Sequence, residues 1–321
     1  MRKLKANAVA RSIAGRLVQP RHLFRAASLQ RNRKQTKRVY DDAQLALFAK
    51  ILPSGFLHYG FFDDPETQPQ DISIADVHRA QARYAQLLLE HAHDRTGPVL
   101  DIGCGMGGLC TMLGERGFAP VALTPDRQQA KHLRRTQPDV PVIECKFENL
   151  PDVDAHAARY PTVITSESLQ YLKLDRALPL MQRILKPGGT WIASDFFRIK
   201  PGIGGGTGQH DWEVFRDALA RHGWRIDFER DITRNVVPTL RYISMWARDF
   251  GRPAMAFALL KLRAKQPALH YVLEDTLTMI DQVIEDNLQI IDPAAFVENK
   301  KYVMLVMRRG DSLGPGRESS D

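Results

Sequence analysis

The chain has 321 residues, 44% of them hydrophobic and 26% charged, enough to bury a full α/β core with an appended helical subdomain. Its three cysteines, Cys104, Cys110 and Cys145, lack C-x-x-C spacing, so no disulfide framework or zinc site is expected, and no run of about 18 apolar residues suggests a transmembrane segment. The net charge of +8 is unevenly spread: residues 1–40 hold twelve basic side chains and no acid, which leaves 33 basic against 37 acidic groups elsewhere.

Within that arm Val9, Ile13 and Leu17 recur at helical spacing with arginines among them. The pattern suits a basic amphipathic helix on an anionic membrane surface, and equally an organellar transit peptide, a nucleic-acid tail or a solvated arm. From Tyr40 to Ile51, the pattern of Leu45, Leu47, Phe48 and Ile51 predicts a short helix ended by Pro53 and Gly55. The next stretch, FLHYGFFDD from Phe56 to Asp64, packs four aromatics into seven residues, which by composition alone is a core plug. Asp71 to Ala92 reads as an amphipathic helix with Val77, Tyr84, Leu87 and Leu88 on one side. Its histidines, His78, His91 and His93, have no carboxylate at ligand spacing and read as surface residues.

Val99 to Leu109, VLDIGCGMGGL, is a strand, a tight turn and a helix start. Without Cβ atoms, Gly103 and Gly105 can take positive φ and leave their amides open beneath a ligand, which suggests a nucleotide-like cofactor at the helix N-terminus. Gly103, Gly105 and Gly108 also satisfy a dinucleotide spacing; Asp101, two residues before the first glycine, separates the two readings. DIGCGMGG resembles the first motif of class I S-adenosylmethionine-dependent methyltransferases. The resemblance covers about 56–239 plus the last strand. It implies a Rossmann-like seven-stranded α/β fold, S-adenosylmethionine as cofactor, no metal, and an Asp101 carboxylate that helps hold the cofactor's amino-acid end. The aromatic stretch is similar to the H-W-G-Y-W segment that precedes this motif in small-molecule and fatty-acid methyltransferases, which implies that Tyr59 reaches the cofactor.

Met106 to Arg116 follows as the first crossover helix, closed by Gly117, and Pro120 to Leu123 as the second strand. Most relatives place an acid after this strand, for the ribose hydroxyls, where this chain has Thr124. VALTPDRQQAKHL is instead similar to the pattern of cyclopropane and mycolic acid synthases and of tocopherol-type enzymes, which implies that Thr124 and Gln129 take over those contacts. A hydroxyl and an amide can hydrogen-bond a diol without burying a charge. A plain helix cap by Thr124 or Asp126 is the other reading. Val140 to Glu144 is the third strand, and by the same resemblance Lys146 and Phe147 border the adenine, with Glu144 or Glu148 as its acceptor.

The fourth strand, Pro161 to Ser166, runs into ESLQYL, so Glu167, Gln170 and Tyr171 fall at a strand C-terminus, where open α/β sheets bind ligands. Glu167 reads alternatively as a helix cap and Tyr171 as packing. Cyclopropane synthases carry F-E-H where this chain has Leu169, Gln170 and Tyr171. An amide cannot serve as the carboxylate base of that chemistry, so plain methyl transfer is expected rather than ring formation. The chain also lacks D-P-P-Y or N-P-P-Y, which disfavours base or glutamine amino methylation.

LKPGG at 185–189 is predicted to end a helix and turn into the strand 190–197, and PGIGGGTG at 201–208 to form a mobile loop over the cleft. A helix over 211–221 and a strand over 224–231 precede DITRNVVPTL, which resembles a segment of small-molecule methyltransferases. Residues 241–296 are mostly helical by pattern, with Tyr242, Met245, Trp246 and Phe250 lining an apolar pocket or serving as ordinary core. KYVMLVMRR, 301–309, supplies the last strand, antiparallel by family analogy.

The expected organisation is a basic arm over 1–40, an N-terminal helical segment over 41–96, a Rossmann-like core over 97–235, a helical cap over 236–298, the last strand over 299–309 and a loose tail over 310–321. The expected activity is S-adenosylmethionine-dependent methylation, at carbon, nitrogen or oxygen, of a small or lipid-like molecule, in a cytoplasmic protein with peripheral membrane contact through the arm. An RNA methyltransferase gripping its substrate with the arm, and a non-catalytic membrane or partner-binding protein, are the rival readings.

Overall fold

The computed structural model describes residue 21 and residues 54–200 and 209–310. The arm expected at 1–40, the helix expected within 40–51, the loop expected at 201–208 and the tail expected after 310 fall outside the described residues, Arg21 excepted. The chain divides into two units, one of the described residues 54–240 and 293–310, the other of 241–292.

The first unit is a seven-stranded sheet in the order β3-β2-β1-β4-β5-β7-β6. Its strands are β1 (Val99–Ile102), β2 (Pro120–Thr124), β3 (Val142–Glu144), β4 (Tyr160–Ser166), β5 (Leu185–Arg198), β6 (Trp224–Asp231) and β7 (Lys300–Arg309). Strands β1 to β5 are parallel, with Asp101 beside Ala122 on one side and Ile164 on the other. All four residues of β1 are buried, as expected of a central parallel strand covered on both faces. Strand β7 inserts antiparallel between β5 and β6, so its first residues lie at the edge where the parallel strands end. The order reverses at β1 and β4, and this is the crevice in which such sheets bind ligands.

Helices α1 (Ile74–Leu89), α2 (Gly108–Glu115), α3 (Arg127–Thr136), α4 (Leu174–Ile184) and α5 (Trp212–Arg221) belong to this unit. The first starts three residues later than its pattern suggests. Pro69–Asp71 forms a 3-10 turn, and Ser73 and Asp76 close a reciprocal capping box that fixes the start. Strand β5 begins at Leu185 rather than 190, because LKPGG pairs with β4 through an irregular register between Tyr160 and Thr162. The core is built from Leu100, Ile102, Phe147, Tyr160, Met181, Trp191, Phe215 and Leu305, among others, all at most 2% exposed.

Helix α6 (Thr233–Met245) ends in a π-helical turn over Trp246–Gly251, followed by α7 (Arg252–Lys265) and α8 (Pro267–Ile290); α9 (Pro293–Asn299) then leads into β7. In the 241–292 unit Arg248 pairs with Asp292 at 3.1 Å and Arg252 with Glu285 at 3.2 Å. Trp246 and Phe250 are 49% and 63% exposed, which corrects their reading as ordinary core. Aromatic content alone does not say which residues a helix buries; only the packing of its neighbours does. No helix of the described residues is long and apolar enough to cross a membrane.

Candidate active site

The glycine turn after β1 is shaped by contacts that leave no room for side chains. Gly103 has φ +78°, and a Cβ there would lie 2.3 Å from that of Ser168, whose hydroxyl in turn donates to the Ile102 carbonyl. At Gly108 the added Cβ would come 2.7 Å from the Phe56 ring and 2.8 Å from the Ser54 carbonyl, so the segment before the aromatic stretch rests directly on the helix start. The turn is thus pinned from two sides, by the chain after β4 and by the chain before α1.

These approaches enclose a cavity of about 350 Å³ lined by Phe56, His58, Asp101, Gly103, Gly105, Thr124, Gln129, Glu167, Gln170 and Tyr171. Eight of the eleven residues singled out from sequence are therefore brought together here: Asp101, Gly103, Gly105, Thr124, Gln129, Glu167, Gln170 and the largely exposed Tyr171. Lys146 and Phe147 line an adjoining cavity of about 440 Å³ that shares Gly103, Ser168 and Tyr171. Phe147 is almost wholly buried in the core. Glu148 also lines this second cavity and accepts from the Lys173 amide at 2.7 Å, whereas Glu144 is held by Arg134 at 2.8 Å and lines neither. The Tyr59 ring lies outside both linings: it packs edge-on against Phe296 and Tyr302, and the residue meets the site through its amide.

Asp101 is 2% exposed, and burial pushes its carboxyl up to about 7; the Cys110 thiol, 3.5 Å away, is its hydrogen-bond donor. Cys104 packs in the same wall with Cys110, Ala122 and Leu133, and burial raises its thiol well above the usual range, away from nucleophilic use. Across the cavity the Thr124 hydroxyl donates to Gln129 Oε1 at 2.7 Å. Asp126 caps α3 by accepting from the Gln128 and Gln129 amides at 2.8 and 3.0 Å, so the capping role falls to Asp126 and leaves Thr124 and Gln129 as a polar pair on the wall.

Glu167 has φ +51°, a left-handed backbone costing of order 1 kcal/mol for a residue with a side chain. That turn sends its carboxylate inward rather than to a helix cap. There it accepts from the Tyr59 amide at 2.9 Å and the Tyr302 hydroxyl at 2.7 Å. Burial nevertheless raises it to about 7, against those two hydrogen bonds. The Tyr302 hydroxyl is 3.1 Å from that of Tyr84, which reaches the Ser194 carbonyl at 3.4 Å, so a chain of phenols connects Glu167 to the sheet.

Three contributors escaped the sequence reading. Asp195, inside the apolar run TWIASDFF, accepts from the Gln170 and Phe196 amides at 3.0 and 2.8 Å and is raised by burial to about 8. An acid inside such a run is itself a signal, since an unpaired buried carboxylate is costly. Tyr302 is the second. His58 is the third: Nδ1 faces the Tyr59 carbonyl at 2.8 Å, so the proton sits there, and Nε2 has no partner among the described residues. Burial lowers this imidazole to about 4 and keeps it neutral.

Residues 99–189 match the family model for a methyltransferase domain. An uncharacterized methyltransferase of Mycobacterium tuberculosis is 34% identical over 95 residues, 28% of this chain and 36% of that protein, so the chain spans about a third of the length of the first curated relatives it matches. A ubiquinone/menaquinone biosynthesis C-methyltransferase of Bordetella avium is 27% identical over 186 residues, 50% of this chain and 70% of that one. Among solved structures, geranyl diphosphate C-methyltransferase from Streptomyces coelicolor, in complex with Mg2+, geranyl-S-thiolodiphosphate and S-adenosyl-L-homocysteine, superposes with a TM-score of 0.58 at 17% identity, covering 82% of this chain and 91% of that one. Residues 99–189 thus resemble a methyltransferase domain and lie within a seven-stranded sheet that has the class I methyltransferase fold.

Proposed function

We propose that this protein transfers a methyl group from S-adenosylmethionine to a small or lipid-like acceptor. The observation that carries the reading is the convergence of Asp101, the glycine turn, the Thr124–Gln129 pair and Glu167 on one cavity. These residues fit the cofactor. A buried carboxyl suits its cationic amino-acid end, a turn without side chains suits close approach, and a hydroxyl–amide pair suits a ribose diol. When bound, S-adenosylmethionine supplies a methyl already activated on a sulfonium, so the protein's task is alignment, exclusion of water and, for some acceptors, removal of a proton.

Glu167 is our candidate for that last task. A carboxyl raised to about 7 is matched to proton transfer near neutral pH, and Tyr59 and Tyr302 fix its orientation. Gln170 and Tyr171 border the acceptor side, and the amide of Gln170 favours plain transfer over ring closure, which needs a carboxylate there. Lys146 and Phe147 would border the adenine in the adjoining cavity, and Tyr59 acts through its amide on Glu167.

The test is incubation of the purified protein with methyl-labelled S-adenosylmethionine and whole-cell extract, followed by separation of organic-soluble, small aqueous and RNA fractions. Label in either of the first two is expected. Label confined to RNA, or cofactor binding without transfer to any fraction, would overturn the proposal.

A further inference from the structure

Four described cations around the start of β7 are paired with carboxylates. Arg198 is held by Asp211 at 2.8 Å, Lys200 by Glu298 at 2.7 Å, Lys301 by Glu229 at 2.8 Å and Arg234 by Glu66 at 2.7 Å. Lys300 makes no ion pair among the described residues. Its ammonium lies over two aromatic faces, 4.8 Å from the Phe196 ring centre and 5.4 Å from that of Phe296. Half-buried there, it is pushed below the usual lysine range by desolvation.

Lys300 lines a cavity of about 510 Å³ together with Lys301, Arg234, Asn235, Thr233 and Asp231. The one carboxylate in that wall, Asp231, is engaged by the amide and hydroxyl of Thr233 at 2.9 and 2.5 Å. Lys301 and Arg234 are engaged by their carboxylates and the Asn235 side chain donates to the Phe62 carbonyl at 2.8 Å, so among the described residues of this wall the cation without a counter-charge is Lys300, which has only ring faces to balance it. A charge in that setting is costly unless an opposite charge joins it, and an oxyanion is the group that would gain most by doing so.

The position relates this cavity to the candidate active site. Phe196 pairs with Tyr302 and Arg198 with Lys300 across the β5–β7 ladder, so Lys300 and Tyr302 stand two residues apart on one face of the strand, about 7 Å along it. Tyr302 is the residue whose hydroxyl holds Glu167.

We propose that Lys300 anchors the anionic group, a carboxylate or a phosphate, of the molecule that is methylated. Assigning the anion to the methyl acceptor rests on the methyl-transfer reading; binding of an organic anion at Lys300 does not.

The test uses the full chain and three probes, octyl phosphate, octanoate and inorganic phosphate, titrated calorimetrically into the wild type, Lys300→Met and Lys300→Arg, with S-adenosylhomocysteine titrated into each in parallel. Methionine keeps most of the apolar stem and removes the charge. The tighter of the two octyl anions is expected to bind Lys300→Met about 10- to 100-fold more weakly, the value of one charge-assisted contact, and to bind Lys300→Arg within a fewfold of wild type. S-adenosylhomocysteine affinity is expected to be equal in all three. Equal anion binding by Lys300→Met, or no saturable binding of either octyl anion by the wild type, would overturn the proposal. So would inorganic phosphate binding as tightly as octyl phosphate, which would make this a free-phosphate site. Loss of S-adenosylhomocysteine binding from every variant, wild type included, would count against the methyltransferase reading and leave the anion result to stand separately.

Discussion

Replacing Gly103 by alanine separates two physical effects that usually come together. Gly103 and Gly117 share φ +78°, but a Cβ at Gly117 meets nothing within 4 Å, whereas one at Gly103 falls 2.3 Å from the Ser168 Cβ. Gly117→Ala should therefore cost only the left-handed backbone penalty, about 1 kcal/mol. Gly103→Ala adds an overlap of more than 1 Å relative to a normal carbon–carbon contact of about 3.5 Å. To relieve it, the chain after β4 must move and strain the Ser168–Ile102 hydrogen bond, adding about 1–3 kcal/mol of overpacking. The expected total is about 2–4 kcal/mol, read from urea unfolding midpoints at constant m-value. Ser168→Gly removes the clashing atom and, with it, the donor to Ile102, so in a Ser168→Gly background the cost of adding Gly103→Ala should fall to about that of Gly117→Ala. Calorimetric S-adenosylhomocysteine binding should fall with Gly103→Ala and recover in the double variant. The reasoning is refuted if Gly103→Ala costs no more than Gly117→Ala, or if it costs as much in the Ser168→Gly background as in the wild type.

Asp101, Glu167 and Asp195 are all raised by burial, to about 7, 7 and 8. Carboxyls raised in the folded state hold protons that the unfolded chain has released, so their stabilising contribution is complete below about pH 4 and is lost as pH rises through 7 to 8. His58 and His210, lowered by burial, act in the opposite direction, but their contribution is nearly complete above the unfolded value of about 6.5. The urea midpoint of the ligand-free protein should accordingly fall between pH 7 and 8.5, and a rise over that window would contradict the burial of these groups. If Asp101 meets a cationic amino group, S-adenosylhomocysteine affinity should drop up to about tenfold per pH unit below 7, and Asp101→Asn should flatten that slope; a slope unchanged in Asp101→Asn would remove Asp101 from the contact. Tyr302→Phe deletes a donor to Glu167, so it should cost about 1–3 kcal/mol and move the Glu167 titration upward, since that hydrogen bond is one of the influences lowering it. Carboxyl carbon NMR would detect the shift, and a downward move would refute the assigned donor.

How much of this was legible in the sequence follows the distance over which each feature acts. The glycine turn, Asp101 two residues before it, and the Thr124–Gln129 pair lie within one strand–turn–helix unit each, so local spacing and a family motif were enough to identify them. The seven-stranded sheet and its antiparallel last strand also followed from the motif resemblance, and the sheet agrees, whereas the strand order came from the structure. Glu167 was identified by position, but its inward direction required a positive φ that no sequence pattern announces in a non-glycine residue. Its partners lie 108 and 135 residues away in the chain, and the unpaired state of Lys300 depends on where four other ion pairs form. The sequence by itself determined the strand, the turn and the residue types suited to a nucleotide-like cofactor, because those depend on backbone freedom and on periodicity. Only the tertiary structure decided which carboxyls are buried, which tyrosine holds Glu167 and which lysine is left without a counter-charge, because desolvation and pairing are properties of neighbours brought together by folding.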